Sequence, residues 1–261
     1  MLKIKEKEPY IILPKQRYGL STFEPHNVMS SDFTFFVDYQ LDSKKMGEEY
    51  AIVARPGMHM GLMVKTIDDV NFILSWDFWT NVDGENKWNS VEFDMSGDNG
   101  HLPNDRFFVL IYHDSISKKF TFYLNSEKFD TPLIQEKIYD GILVDYAETP
   151  FNLGCGNYSK VVPLRDRLFT ATTIYKLGLI ANIENSFDKV LEFIENTKND
   201  KTRLSQNLLD LVFYFNFNLT NIYKVWDLSG HCNFIQKNLF IEDEDIYIND
   251  EAFYKDYAKE S

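Results

Sequence analysis

The 261-residue chain predicts an all-β protein, an antiparallel sandwich or barrel, on three observations. Aromatic residues make up 16% of it, and such side chains favour pleated, half-buried surfaces. From Asp32 to about Ile180, short runs rich in Phe, Val, Ile, Tyr and Thr alternate with clusters of Gly, Asn, Asp and Pro, the punctuation of strands joined by turns. No helical pattern separates these runs, as a parallel βαβ sheet would require. With 44% hydrophobic residues, a chain of this length can bury enough apolar surface to offset its entropy, and one core is the expectation.

Taken in order, the expected strands are Phe33 to Gln40, Tyr50 to Arg55, Met60 to Lys65, Asn71 to Thr80, Trp88 to Met95, Phe107 to His113, Phe120 to Leu124, Phe151 to Gly154 and Thr172 to Leu179. The strongest local signal is Asp83-Gly84, a pair that tolerates the positive φ angles of a type I′ hairpin turn. Placing Val82 opposite Glu85 pairs Trp76 with Val91, Leu74 with Phe93 and Phe72 with Met95, all apolar and all on one face. The other face then pairs Trp79 with Trp88, Asp77 with Ser90, Ser75 with Glu92 and Ile73 with Asp94. A slip of one residue would mix the two sets, so the hairpin is expected to have an apolar side and a polar side that carries two tryptophans.

After Ile180 the period changes. Phe187, Val190, Leu191 and Ile194 follow Ser186 at helical spacing, and Leu204, Leu208 and Leu211 repeat the pattern, which predicts two short helices. Val212 to Leu219, where aromatic and Asn residues alternate, and the turn-rich stretch from Trp226 to Phe234 suit a further strand pair. The expected organisation is an N-terminal extension or first strand over 1–30, the sandwich over 31–240 and a solvated acidic tail over 241–261.

Charge and cysteine content narrow the function classes. Lys and Arg number 27 against 40 Asp and Glu, a net charge of -13, which repels phosphate backbones and anionic headgroups and argues against a nucleic-acid partner. The apolar run from Phe107 to Tyr112 is far short of the roughly 18 residues of a membrane span, so none is expected. The opening segment has no continuous apolar stretch of signal-peptide type, and the expectation is an intracellular or virion protein unless the chain is a fragment of a larger exported one. Cys155 and Cys232 lie far apart without a zinc-type pattern and are expected to be buried thiols.

Lys87-Trp88 opening a strand after a Gly-containing turn, followed by Phe122-Tyr123-Leu124-Asn125, resembles the laminin-G-like branch of the concanavalin A-like lectin and glucanase folds. Leu153-Gly154-Cys155-Gly156 is similar to the next element of that group. Asp227-Leu228-Ser229-Gly230-His231-Cys232-Asn233 is similar to a phrase that many of its members carry near their beginning, whereas here it stands near the end. Ser126 follows Asn125 where the pattern has Gly. The resemblance spans roughly residues 30 to 240 and implies a jelly-roll sandwich of two curved sheets, which meets carbohydrate, protein or lipid at a sheet surface or at loops near a calcium ion.

The related glucanases set catalytic carboxylates on alternate residues of one strand, so that they share a face toward the sugar. The matching stretch here is Glu92-Phe93-Asp94-Met95-Ser96. Glu92 and Asp94 are the candidate catalytic groups, but Ser96 cannot protonate a leaving oxygen, and the pattern points to binding rather than catalysis. Trp79 and Trp88 could offer a platform for a sugar ring, with Asp77 and Glu92 accepting bonds from its hydroxyls; the plainer alternative is that the two rings pack on each other or under the C-terminal helices. Calcium is the one cofactor the composition leaves open. Its candidate ligands are Asn81, Asp83 and Glu85 with Asn86, or Asp94, Asp98, Asn99, Asn104 and Asp105, although the same residues are ordinary turn formers. His113-Asp114 could orient an imidazole, but no nucleophile elbow accompanies it, and a strand-end histidine satisfied within the fold is the simpler reading.

The leading expectation is a non-catalytic module that binds a glycan or glycoconjugate. A structural or adhesion domain that contacts other proteins or its own copies is the alternative, and a glycoside hydrolase with a rearranged site using Glu92 or Asp94 is the third.

Overall fold

A computed structural model of the protein describes residues 2–4, 11–13, 32–41, 49–54, 60–95, 101–144, 151–153, 172–181, 187, 188, 191, 211–216, 236, 237, 241, 242, 245 and 246. Its strands are β1 (Leu2–Ile4), β2 (Ile11–Leu13), β3 (Phe33–Leu41), β4 (Glu49–Ala54), β5 (Met60–Thr66), β6 (Phe72–Val82), β7 (Glu85–Asp94), β8 (Arg106–Asp114), β9 (Lys119–Ser126), β10 (Leu133–Ile138), β11 (Ile142–Leu143), β12 (Phe151–Leu153), β13 (Thr172–Ala181), β14 (Leu211–Asn216), β15 (Gln236–Lys237), β16 (Ile241–Glu242) and β17 (Asp245–Ile246). Every strand pairing is antiparallel. One sheet runs β1-β13-β3-β8-β9-β10 with β14 also on β13, and the other runs β11-β6-β5-β4-β12-β2-β15 with β7 also on β6. Among the described residues β16 and β17 pair only with each other.

Alternation builds the core between the two sheets. Phe33, Phe35, Val37, Tyr39 and Leu41 from β3 point inward, as do Phe107, Val109 and Ile111 from β8 and Phe120, Phe122 and Leu124 from β9. They meet Met60, Leu62 and Val64 from β5, Phe72, Leu74, Trp76 and Phe78 from β6, and Val91 and Phe93 from β7. Ring contacts bridge the sheets: Phe35 stacks on Trp76 at 5.7 Å, Phe93 meets Phe122 edge-on at 4.7 Å, and Phe120 lies 4.4 Å from Phe78.

The outer faces differ. On the β3/β8 sheet the outward residues Phe36, Phe108, Leu110, Tyr123 and Ile180 form a second apolar cluster, against which Phe187 and Leu191 pack. Gly178 makes room for this cluster, because any side chain there would collide with the Phe36 ring. Its outer rim is polar: Arg106 grips Asp38 with two hydrogen bonds of 2.7 and 2.6 Å and lies 3.8 Å over the Tyr175 ring. The β5/β6/β7 sheet turns mostly polar and small residues outward instead, with Trp79 and Trp88 among them. A bulge between Ala51 and Val53 lets Ile52 and Val53 both enter the core and leaves Ala51 and Ala54 with Met63 on the other side.

All nine expected strands are present, most with ends moved by one to three residues. His113 is buried and shares a 2.8 Å hydrogen bond with the Tyr139 hydroxyl, while Asp114 accepts the backbone N–H groups of Ile116 and Ser117 at 3.0 Å each. The pair is therefore occupied in structure. Phe187, Asp188 and Leu191 are helical. Leu211, expected to end the second helix, instead opens β14 and pairs with Ile180 of β13, so the strand pairing overrides the local helical spacing there. The other residues of the two expected helices lie outside the described residues, as do Cys155, Cys232, the Asp227-to-Asn233 phrase, Gly154, Gly156, and Ser96, Asp98 and Asn99. Val212 to Leu219 was expected to open a strand pair of its own; within it β14 pairs with β13.

Candidate functional site

The site is built on the β6/β7 hairpin. Its two-residue turn has positive φ at Asp83 (54°) and Gly84 (87°), the backbone of a type I′ turn whose twist matches that of the strands it joins. Asn81 closes the turn, its Oδ1 accepting the Gly84 N–H at 3.0 Å and its Nδ2 donating to Asn86 Oδ1 at 2.9 Å. The register follows the pattern read from the sequence, with Val82 opposite Glu85, Trp79 opposite Trp88, Asp77 opposite Ser90, Ser75 opposite Glu92 and Ile73 opposite Asp94. Met95 continues it, donating its N–H to the Phe72 carbonyl at 2.8 Å.

Trp79 and Trp88 meet edge to face, with centroids 5.3 Å apart and planes at 81°. Trp88 is the outer member, 43% exposed. Trp79 is half-buried, and its indole N–H is sealed from solvent with no hydrogen-bond partner among the described residues. The rings thus pack on each other while one keeps an open side. Phe187 and Leu191 lie on the other sheet, so those two helical residues do not cover the tryptophans.

Two carboxylates follow along the same face. Glu92 is exposed and accepts a 2.6 Å hydrogen bond from the Ser90 hydroxyl. Asp77 is only 9% exposed; burial pushes its carboxyl up to about 7, and the nearby Glu92 and Glu49 charges push the same way, against a hydrogen bond from Ser75. The floor beside Asp77 has no side chain, since Gly61 is its neighbour on β5. A Cβ at Gly61 would come within 3.0 Å of the Ala54 Cβ and the Val53 carbonyl. Lys65, four residues along β5 and on the same face, is 3.6 Å from Glu49. Asp94 is also exposed, beside Glu92 on the same face.

Asn81, Asp83 and Glu85 are brought together at the turn, with Asp83 and Glu85 exposed, while both polar atoms of the Asn81 amide serve the turn itself. In the second oxygen-rich segment, Asp105 accepts the Leu102 N–H at 2.8 Å and pairs with Lys128 at 2.8 Å, and the Asn104 carbonyl accepts from Gln40 at 3.1 Å. Among the described residues no three His, Cys, Asp or Glu side chains converge as a metal site would require.

No family model matches the sequence, and no curated protein matches it significantly. Solved structures align with it at low identity. Tailspike protein 2 of an Escherichia coli O157:H7 bacteriophage aligns over 80% of this chain and 25% of its own with a TM-score of 0.50 and 8% identity. A Bacteroides ovatus protein proposed to bind carbohydrate aligns over 90% of this chain and 60% of its own, with a TM-score of 0.48 and 17% identity. The CBM40 of the Ruminococcus gnavus IT-sialidase aligns over 74% of this chain and 96% of its own, with a TM-score of 0.43 and 12% identity. The chain thus spans a quarter of the tailspike, and the likeness to it is one of fold alone.

Proposed function

We propose that this chain is a non-catalytic carbohydrate-binding module of concanavalin A-like, laminin-G-like architecture, which takes a glycan on the outer face of the β6/β7 hairpin. The observation that carries the reading is Trp88: a large aromatic ring left open on a rigid sheet, backed edge-on by Trp79 and set on the same face as the exposed carboxylate of Glu92. A sugar presents an apolar C–H face and a rim of hydroxyls, and an aromatic plane beside hydrogen-bond acceptors meets both. Glu92 accepts from hydroxyls at the rim. Asp77, buried next to Gly61, fixes the depth of the floor and serves a ring that settles over the glycine. A calcium ion at Asn81, Asp83 and Glu85 would have to share the Asn81 Oδ1 with the Gly84 N–H.

The test is a glycan array with the purified chain, run with calcium and with chelator, followed by Trp88→Ala. Trp88 is exposed, so the variant should keep its melting temperature to within a few degrees and lose about tenfold or more in affinity, the ~1 to 3 kcal/mol that a stacked ring contributes. Unchanged affinity removes the site. Silence of the parent across the array removes the function, and loss under chelation places a cation beside the sugar.

A further inference from the structure

We propose that the chain forms a two-fold homodimer by pairing the free edge of β10 with β10 of a second copy, extending the β3/β8 sheet across both. Among the described residues β10 ends that sheet, with β9 on one side and no strand on the other. The Tyr139 N–H donates to the Lys118 carbonyl at 3.0 Å, continuing the register in which Ile138 faces Lys119. In an antiparallel ladder hydrogen-bonded and non-bonded pairs alternate. Lys137, Gln135 and Leu133 therefore turn their N–H and C=O groups to β9, and Ile138, Glu136 and Ile134 turn theirs away from it.

Those three residues read the same in both directions. With a two-fold axis perpendicular to the sheet at Glu136, Ile134 of each copy faces Ile138 of the other, and Glu136 faces Glu136. All three outward N–H groups and all three outward C=O groups on each strand then find partners. A shift by two residues either way leaves one residue of the three unpaired on each copy and sets Ile134 or Ile138 against Glu136.

Side chains agree with the centred register. Ile134 and Ile138 are 51% and 69% exposed, and they lie on the outer sheet face, opposite Tyr123 and Lys119. The dimer would join them in two isoleucine pairs, the kind of cross-strand contact that stabilises sheets. At the axis the two Glu136 carboxylates are not bare, because each already holds the Lys119 ammonium of its own chain at 2.7 Å. The result is a cluster of two anions and two cations. Edge strands that avoid pairing place an unmatched charge or a proline along the edge; here the outward positions carry two exposed isoleucines and one neutralised glutamate.

The experiment is analytical ultracentrifugation of the full chain from micromolar to millimolar concentration, in parallel with a cross-linking variant. The expected result is a monomer–dimer equilibrium, shifted to monomer by the double variant Ile134→Lys and Ile138→Lys with circular dichroism unchanged. Glu136→Cys, in a chain whose Cys155 and Cys232 are replaced by Ser, should oxidise to a disulfide-linked dimer, because residues facing each other in a hydrogen-bonded pair have Cα atoms about 5.5 Å apart; Gln135→Cys should not. A monomer at every concentration overturns the proposal. So does a dimer that survives the double lysine variant, or one in which Gln135→Cys cross-links as well as Glu136→Cys. Glycan binding is a separate readout and none of these outcomes depends on it.

Discussion

Asp77 shows how one carboxyl can couple the candidate site to stability. Its folded pKa of about 7 stands above the 3.8 of an unperturbed aspartate, because burial penalises the charged form. The folded state therefore holds a proton that the unfolded state has released between those values, and the sign follows: this group's contribution is full below about pH 4 and is lost as pH rises through 7. Asp77→Asn keeps a neutral, hydrogen-bonding side chain beside Ser75. Thermal melts from pH 4 to pH 8 should show a downward slope in the parent that the variant lacks, leaving the variant more stable at pH 8 by on the order of a few kcal/mol. Parallel curves would mean that the carboxyl is hydrated after all. Trp88 is the contrasting case, because its exposure makes it a residue whose loss is read in binding rather than in folding.

Among the elements, the β6/β7 hairpin positions the tryptophan pair and both carboxylates, so its turn controls the site at a distance. Gly84 has φ of 87° and open space around it, so a substitution there meets backbone strain and no collision. Gly84→Ala should cost about 1 to 2 kcal/mol, seen as a lower denaturant midpoint at unchanged slope. Gly178 stands the other way round: its space is filled by the Phe36 ring, which Phe108 holds at 6.4 Å. β10 shows how little an edge strand announces itself. The segment Leu133–Ile138 is exposed on nearly its whole length, so its apolar residues are not selected by a buried face, and it carries neither a clean alternation nor an apolar run.

For the molecule as a whole, the aromatic excess becomes a bridge between sheets. Phe120 on β9 lies within 6.4 Å of the rings of Phe33, Trp76, Phe78, His113 and Tyr139, from both sheets and from the residue that follows β10. Phe120→Ala would open a cavity that strands on two sides cannot easily close. A loss of about 3 to 5 kcal/mol is expected, with near-ultraviolet dichroism weakened along with the melting temperature; a loss under about 1 kcal/mol would show that the rings do not pack as a unit. A surface of net charge -13 surrounds this core and keeps copies apart by general repulsion. Association therefore needs a local match, which the proposed pairing at the β10 edge would supply.

The order of apolar and turn residues was enough to place the nine strands and the β6/β7 register, because period-two alternation and an Asp-Gly turn are local signals that a slip of one residue would spoil. It also placed Trp79, Trp88, Asp77 and Glu92 on one face, since face follows from parity alone. Which of them stay open was not local. Asp77 and Glu92 have the same parity and similar neighbours, yet one is buried and the other exposed, because the first lies between two strands, with β5 and its Gly61 alongside, whereas β7 carries the second at the sheet's flank. The bulge that turns Ala51 and Ala54 outward, the pairing of β14 with β13 and the place of β10 at the end of its sheet among the described residues were likewise decided by tertiary structure. Parity along a strand is a property of the chain, whereas burial and edge position depend on which distant strand arrives beside it.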